Sequence, residues 1–83
     1  MMPTVLRLHG LRFMIFLDDH APAHVHVFGD GEAKIEIGGD GRSPRMIYAE
    51  GLSGAMQRRA LTAVAWNQTL LLMKWVEIHD RAD

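Results

Sequence analysis

Apolar and polar residues alternate along much of the first half of the chain, in short runs that turn-forming residues separate. Successive side chains of a β-strand point to opposite faces of a sheet, so this alternation is typical of strands. The pattern predicts four to five strands, of which the fifth is short and suits a sheet edge. Their expected ranges are about 4–8, 11–17, 23–28, 32–37 and 45–49.

The second predicted strand is apolar on one face and only half polar on the other. Its apolar face carries Leu11, Phe13, Ile15 and Leu17. A strand that is covered on one face and partly covered on the other belongs inside a sheet, so we expect it to be central. The preceding His9-Gly10 pair suits a two-residue turn, because glycine tolerates a positive φ.

The register of the third and fourth strands decides where His24 and His26 point. The two histidines are two positions apart, so their side chains share a face. A two-residue turn would put both on the apolar face. A three-residue loop over 29–31, ending with glycine in the left-handed region, pairs apolar with apolar positions and sets His24 opposite Glu36 and His26 opposite Lys34. We favour this second register, which places the histidines on the more polar face.

The last thirty or so residues have helical periodicity instead. Ser53 is a suitable N-cap, and no proline follows it. At 100° per residue, one broad stripe is suited to the core. It contains Leu61, Val64, Gln68, Leu71, Leu72, Trp75 and Ile78.

A second apolar patch, formed by Trp66, Leu70 and Met73, falls on the opposite side of this helix. We favour one continuous helix over about 53–80 whose second patch meets another protein chain. The alternative is a break near Asn67, a weak helix former, that lets two shorter helices each face the core. Either way, the order of elements predicts a single α+β domain over 1–83, with a mostly antiparallel sheet packed against the C-terminal helix.

Composition narrows the classes of function. Hydrophobic residues make up 48% of the 83, which suits a small globular domain, and the net charge of −1 argues against a general nucleic-acid coat. With no cysteine, disulfides and thiolate metal sites are excluded. No apolar run is long enough to span a membrane, and Met1–Thr4 does not read as a signal peptide. We therefore expect a cytoplasmic protein.

The stretch from Asp18 to Phe28 is the main candidate for chemistry, since it holds three of the five histidines beside two acidic residues. Histidine titrates near neutral pH and is the commonest metal ligand. We expect His24 and His26 to act as an acid/base pair or to bind a divalent metal with His20 or a carboxylate. Asp19 or Glu36 would orient them. The alternative is that these histidines are ordinary solvated residues.

Two further groups add candidate binding residues. Arg7 and Arg12 lie on the first predicted hairpin, and guanidinium groups clamp phosphate in bidentate fashion. If they converge on the histidines, the set suits phosphodiester chemistry with RNA or another nucleic acid as substrate. The Trp66, Leu70 and Met73 patch is a candidate surface for a protein partner or a second copy of the chain.

Several of these residues form a string that resembles a bacterial family of small domains of unknown function. The string is Asp19-His20-x-Pro22-x-His24-Val25-His26-Val27. Weaker likenesses extend from Met2 to about His79. They are Met2–Arg7, Gly10, Phe13, Ala33-Lys34, Ser53 and Trp75-x-x-x-His79. Where members often have a second proline after Pro22, this chain has Ala23.

Members of that family are often encoded beside a second small protein, in a manner similar to toxin–antitoxin modules. The resemblance thus implies a toxin-type component, with the small protein of the neighbouring gene as its partner. The residues suggest a His-dependent nuclease or other phosphoryl-transfer enzyme. The alternative is a non-catalytic antitoxin or adaptor that binds through the Trp66 face.

Overall fold

The computed structural model describes residues 4–80. The expected lack of a signal peptide depends mainly on Met1–Pro3, which lie outside the described residues. The predicted α+β class is confirmed. Its elements are β1 (Thr4–Leu8), β2 (Leu11–Met14), β3 (His24–Phe28), β4 (Glu32–Glu36), β5 (Arg45–Glu50), α1 (Gly54–Trp66) and α2 (Gln68–Asp80).

The five strands form one antiparallel sheet in the order β1-β2-β3-β4-β5, so each strand pairs with its neighbours in sequence. This order confirms the interior position of β2 and the edge position of β5. The predicted two-residue turn is also present, with φ of 54° at His9 and 76° at Gly10. Positive φ at both central residues matches the right-handed twist of the flanking strands.

The predicted register between β3 and β4 is confirmed. His24 is paired with Glu36, and His26 is paired with Lys34. One detail is wrong, because Gly31 is not among the residues with positive φ. Glycine is needed there for space instead, since a Cβ on Gly31 would overlap the carbonyl oxygen of Glu50.

The second strand ends earlier than predicted. It stops at Met14 instead of 17, and Leu17, expected on the buried face, is 61% exposed. The reason is a turn in which the Asp19 N–H donates to the Phe16 carbonyl at 3.0 Å while the Phe16 N–H donates to Asp19 Oδ2 at 2.8 Å. Both backbone groups of Phe16 are thereby removed from the ladder.

The core lies between one face of the sheet and the helices. Alternate positions of β2, β3 and β4 are buried, as the period-2 pattern requires. The strand side of the core consists mainly of Leu11, Phe13, Val25, Val27, Ala33 and Ile35, and the helices add Ala60, Ala63, Val64 and Leu71. On the opposite face of the sheet, His24 is the one buried residue among those described.

The preferred expectation of one continuous helix over 53–80 is wrong, and the alternative break near Asn67 is confirmed. Asn67 has φ −114° and ψ 22°, outside the helical region. Its side-chain Nδ2 donates to the Ala63 carbonyl at 2.8 Å, so the side chain competes for a backbone acceptor of α1. The helix start is as predicted, because Ser53 Oγ accepts from the Met56 N–H at 3.1 Å.

The second helix passes the end of the sheet at which β3 begins and β4 ends. Its first residue, Gln68, donates through Nε2 to the carbonyls of Ile37 and Arg42, each at 2.9 Å. Further along α2, the Trp75 ring lies 5.2 Å from the His24 ring, measured between centroids. The helix therefore reaches the polar face of the sheet at this one end.

Candidate functional site

Three side chains from two parts of the chain meet at this end of the sheet. Asp19 Oδ1 lies 3.0 Å from His26 Nε2 and 3.5 Å from His24 Nε2. One ligand atom from each residue lies within 4.8 Å of the others. The structure thus brings together three of the five predicted catalytic residues around one carboxylate oxygen.

The turn that ends β2 sets the direction of the Asp19 carboxylate. Because Oδ2 accepts from the Phe16 N–H, Oδ1 is left facing the two imidazoles. Burial acts to raise the pKa of Asp19. The hydrogen bond from Phe16, together with His26 and His24, outweighs it and holds the pKa below the usual 3.8. The carboxylate is therefore charged at neutral pH.

His24 is held in one orientation. Its Nδ1 lies 2.9 Å from the Pro22 carbonyl, and a carbonyl oxygen can only accept, so Nδ1 carries a hydrogen. In the neutral ring, Nε2 then presents a lone pair toward Asp19. The residue as a whole is only 4% exposed, and its ring packs between His26 and Trp75, with ring centroids 5.1 and 5.2 Å away.

Two residues of α2 support this cluster. His79 Nε2 lies 3.0 Å from the Asp19 carbonyl, and His79 Nδ1 lies 2.7 Å from the Trp75 carbonyl. A neutral ring has one N–H and donates to one of these acceptors, whereas the doubly protonated ring donates to both. Sequence reasoning did not count either residue in the site. The available signal was their spacing of four, which puts both on one helix face.

An open depression of about 270 Å³ lies beside the cluster. Asp19 and His24 form part of its wall, with Lys34 as the nearby cation. His20, a predicted catalytic residue, also lines the depression but does not belong to the three-residue cluster. His26 does not line this depression, but its side chain is 19% exposed against 5% for His24, so His26 is the more accessible of the two imidazoles.

Glu36 lies opposite His24 as predicted, but its carboxylate binds elsewhere. Its Oε1 accepts from Arg45 at 3.0 Å and its Oε2 from Arg42 at 3.4 Å. Two guanidinium groups therefore draw this carboxylate toward β5 and the adjoining loop. In this structure Asp19, not Glu36, contacts the histidines.

The two predicted phosphate-binding arginines lie away from the cluster. Arg7 and Arg12 are cross-strand neighbours, and Arg12 is paired with Phe28, at the end of β3 opposite His24. The Arg12 guanidinium carbon lies 5.9 Å from the centre of the Phe28 ring. Both arginines line a separate depression, so the structure does not bring them onto the histidines.

The predicted partner surface is exposed. The exposed fractions are 84% for Trp66, 63% for Met73 and 39% for Leu70. The break at Asn67 does not bury this patch, because each helix already uses its other side for the core. Within residues 4–80, neither helix has the length and apolar character needed to cross a membrane.

Comparison with known protein families shows to which family the chain belongs. A family model described as a domain of unknown function, DUF4160, matches residues 10–76. The chain belongs to the DUF4160 family. The match includes the whole Asp19–His24–His26 cluster, and the predicted resemblance to a family of small domains of unknown function is confirmed at that level. Neither the curated proteins nor the solved structures contain a significant match.

Proposed function

We propose that this DUF4160 chain is a cytoplasmic toxin-type effector of a bacterial two-gene module, and that it is a nuclease or another phosphoryl-transfer enzyme. The observation that supports the enzyme proposal is the sharing of Asp19 Oδ1 by His24 and His26 beside an open depression. A charged carboxylate held against two imidazoles is an arrangement suited to activating water or a hydroxyl group.

The reaction requires attack of an oxygen nucleophile on phosphorus, departure of the leaving oxygen, and stabilisation of the added negative charge. His26 is the accessible imidazole and is oriented by Asp19, so it suits the group that activates the nucleophile. Lys34 lies directly across from His26 and supplies positive charge beside it. These positions support phosphodiester hydrolysis more than chemistry on an uncharged substrate.

The arginines fit this proposal if the substrate is a polymer. Arg12 lies one same-face position along β2 from Met14, the cross-strand partner of His26, which corresponds to roughly 7 Å along the strand. Arg7 lies beside it on β1. A single-stranded nucleic acid crossing the polar face of the sheet would meet both arginines while a further phosphate reaches the histidines. RNA or another single-stranded nucleic acid is therefore the proposed substrate class.

The test is growth of a bacterial host after induced expression of the chain alone. We expect the parent to arrest growth and the double variant His24→Ala/His26→Ala to have no effect. His20→Ala is the matched control, since His20 lines the depression without joining the cluster, and we expect it to remain active. Circular dichroism and equal soluble expression confirm the fold of each variant. Growth arrest by the double variant would refute the site.

A second candidate function is a non-catalytic antitoxin or adaptor, and the 84% exposure of Trp66 favours it. Large aromatic side chains that are this exposed are common at protein–protein interfaces. In this case the small protein of the neighbouring gene or a second copy of the chain would cover Trp66, Leu70 and Met73. We expect Trp66→Asp and Leu70→Asp to abolish such a complex in light scattering. A monomer that is unchanged by both substitutions, and that binds no protein from the neighbouring gene, would refute it.

A further inference from the structure

We propose that Asp19, His24 and His26 hold one zinc ion through Oδ1 and the two Nε2 atoms, with a fourth position open to the neighbouring depression. This inference names the cofactor of the site described above. The catalytic use of the ion rests on the proposed function, whereas the binding of the ion to the three residues does not. The positions of the three ligand atoms and the groups that hold them support the binding of the ion.

The distances between the ligand atoms suit a tetrahedral ion. Zinc bonds of about 2.0–2.1 Å to nitrogen and oxygen place two ligand atoms about 3.4 Å apart at the tetrahedral angle. The distances from Asp19 Oδ1 are 3.0 Å to His26 Nε2 and 3.5 Å to His24 Nε2, on either side of this value. The ligand atoms of the two histidines lie within 4.8 Å of each other, so side-chain movements of about 1 Å would complete the geometry.

His24 is already oriented as a metal ligand. Histidine ligands usually donate their other ring N–H to a carbonyl or carboxylate, which fixes the tautomer and the ring plane. His24 Nδ1 donates in this way to the Pro22 carbonyl, and Trp75 covers the ring face. The Nε2 lone pair is therefore directed at a charged carboxylate, a repulsive contact that a cation between the two atoms would turn into an attractive one.

The other two ligands are held with comparable support. Asp19 Oδ2 accepts from the Phe16 N–H and its carbonyl lies against His79 Nε2, so the residue is fixed at both its side chain and its backbone. His26 Nε2–H donates to Asp19 Oδ1 at 3.0 Å, because a charged carboxylate can only accept. On binding, the neutral His26 ring moves this hydrogen to Nδ1, and Nε2 then bonds to the ion with no net change in protons.

The donor set indicates zinc over the common hard cations. Magnesium and calcium prefer oxygen ligands, whereas two imidazoles and one carboxylate are a ligand set found in catalytic zinc sites. Three protein ligands with one open position are characteristic of catalytic zinc sites, in which the ion activates a bound water. Lys34 and Asp18, which also line the depression, carry opposite charges, so the surroundings neither repel nor supplement the ion strongly.

The test is zinc binding by the whole chain after removal of metal with a chelator. We expect titration calorimetry to give one zinc per chain, and cobalt substitution to give the intense visible absorption of a four-coordinate ion. His24→Ala and His26→Ala should each weaken binding by roughly 100-fold or more, since a lost ligand exceeds the 10–100-fold effect of a lost supporting group. His9→Asn, in the turn between β1 and β2 and outside the cluster, should bind as the parent does.

Asp19→Asn provides a variant whose fold is preserved, because its amide oxygen still accepts from the Phe16 N–H. We expect it to lose zinc binding by a similar factor while remaining folded by circular dichroism. The proposal is overturned if the parent binds no stoichiometric zinc, or if either histidine variant binds as the parent does. It is also overturned if His9→Asn is weakened as much as they are.

Growth arrest separates this inference from the proposed function. A chain that binds zinc at this site but leaves growth unaffected retains the metal site and refutes the toxin proposal. A chain that arrests growth and cleaves RNA but binds no stoichiometric zinc in titration calorimetry retains the proposed function and refutes the metal site.

Discussion

Asp19 has two roles that a pair of substitutions can separate. Its carboxylate accepts hydrogen bonds from Phe16 and His26 in a largely buried position, and it carries the charge that the proposed chemistry needs. Asp19→Ala removes both roles. Asp19→Asn retains an oxygen for the Phe16 N–H and offers an amide that can donate to an imidazole lone pair, but it removes the charge.

The difference in stability follows from these contacts. A hydrogen bond to a charged group contributes about 1.5–3 kcal/mol, so losing two such bonds costs Asp19→Ala about 3–6 kcal/mol. Asp19→Asn, which keeps the Phe16 bond, should lose about 1 kcal/mol. A domain of this length has a total of roughly 4–12 kcal/mol, so the alanine variant gives up a large part of it.

Urea unfolding at neutral pH, with chelator present, measures this difference. The two variants differ by about 2–5 kcal/mol in the free energy of unfolding. With an m-value of about 1–2 kcal/mol per M, this corresponds to roughly 1–5 M in midpoint. Both should fail equally in growth arrest. Equal midpoints would refute the structural role assigned to the Phe16 contact, and an active Asp19→Asn would refute the need for the charge.

The pH dependence of stability provides a second check on Asp19. Because its folded pKa lies below 3.8, the charged form stabilises the folded state at pH values above the unfolded pKa. This contribution is lost as the pH falls from about 3.8 through the lower, folded pKa. We expect Asp19→Asn to show a smaller loss of stability than the parent across this acidic range. Identical acid profiles would contradict the assignment.

Three further predictions test the packing of the fold. Leu71→Ala removes a fully buried side chain and should lower the free energy of unfolding in urea by about 3 kcal/mol. The control Leu70→Ala, at a half-exposed neighbour, should cost less than half as much. Equal costs would contradict the assignment of Leu71 to the core. Gly31→Ala forces a Cβ onto the Glu50 carbonyl and should lower the free energy of unfolding by about 1–3 kcal/mol, seen as a drop of several degrees in Tm. An unchanged Tm would contradict it. Gln68→Leu removes the donor to two backbone carbonyls, so amide hydrogen exchange in α2 should accelerate. Unchanged exchange would contradict the role of Gln68 in holding α2 against the end of the sheet.

Alternation along the strands was enough to predict the sheet and the face of the histidines. Pairing apolar with apolar positions selected the three-residue loop, and with it the positions of His24 and His26 opposite Glu36 and Lys34. This inference succeeded because strand periodicity and hairpin register are local properties, and a slip of one residue would expose a whole buried face. The periodicity also identified Leu71 as core and Trp66 as surface.

The choice of carboxylate was not decided by the sequence. In the sequence, Asp19 and Glu36 were equal candidates for the carboxylate that orients the histidines. The Phe16 turn orients Asp19 toward the histidines, and Arg45 draws Glu36 away from them. The same turn shortened β2 and exposed Leu17, against the expectation from alternation. A strand pattern continues wherever its residues alternate, whereas the ladder ends where backbone groups find other partners.

The sequence by itself determined the α+β class, the strand register, the shared face of the two histidines and the exposed helix patch. Each of these follows from the period with which side chains repeat along a strand or a helix. Only the tertiary structure decided that Asp19 joins the histidines, that Arg7 and Arg12 lie at the other end of β3, and that the helix breaks at Asn67. It also brought His79 to the Asp19 carbonyl, 60 residues away along the chain. Such contacts depend on how α2 packs against the end of the sheet, and no local pattern records that packing.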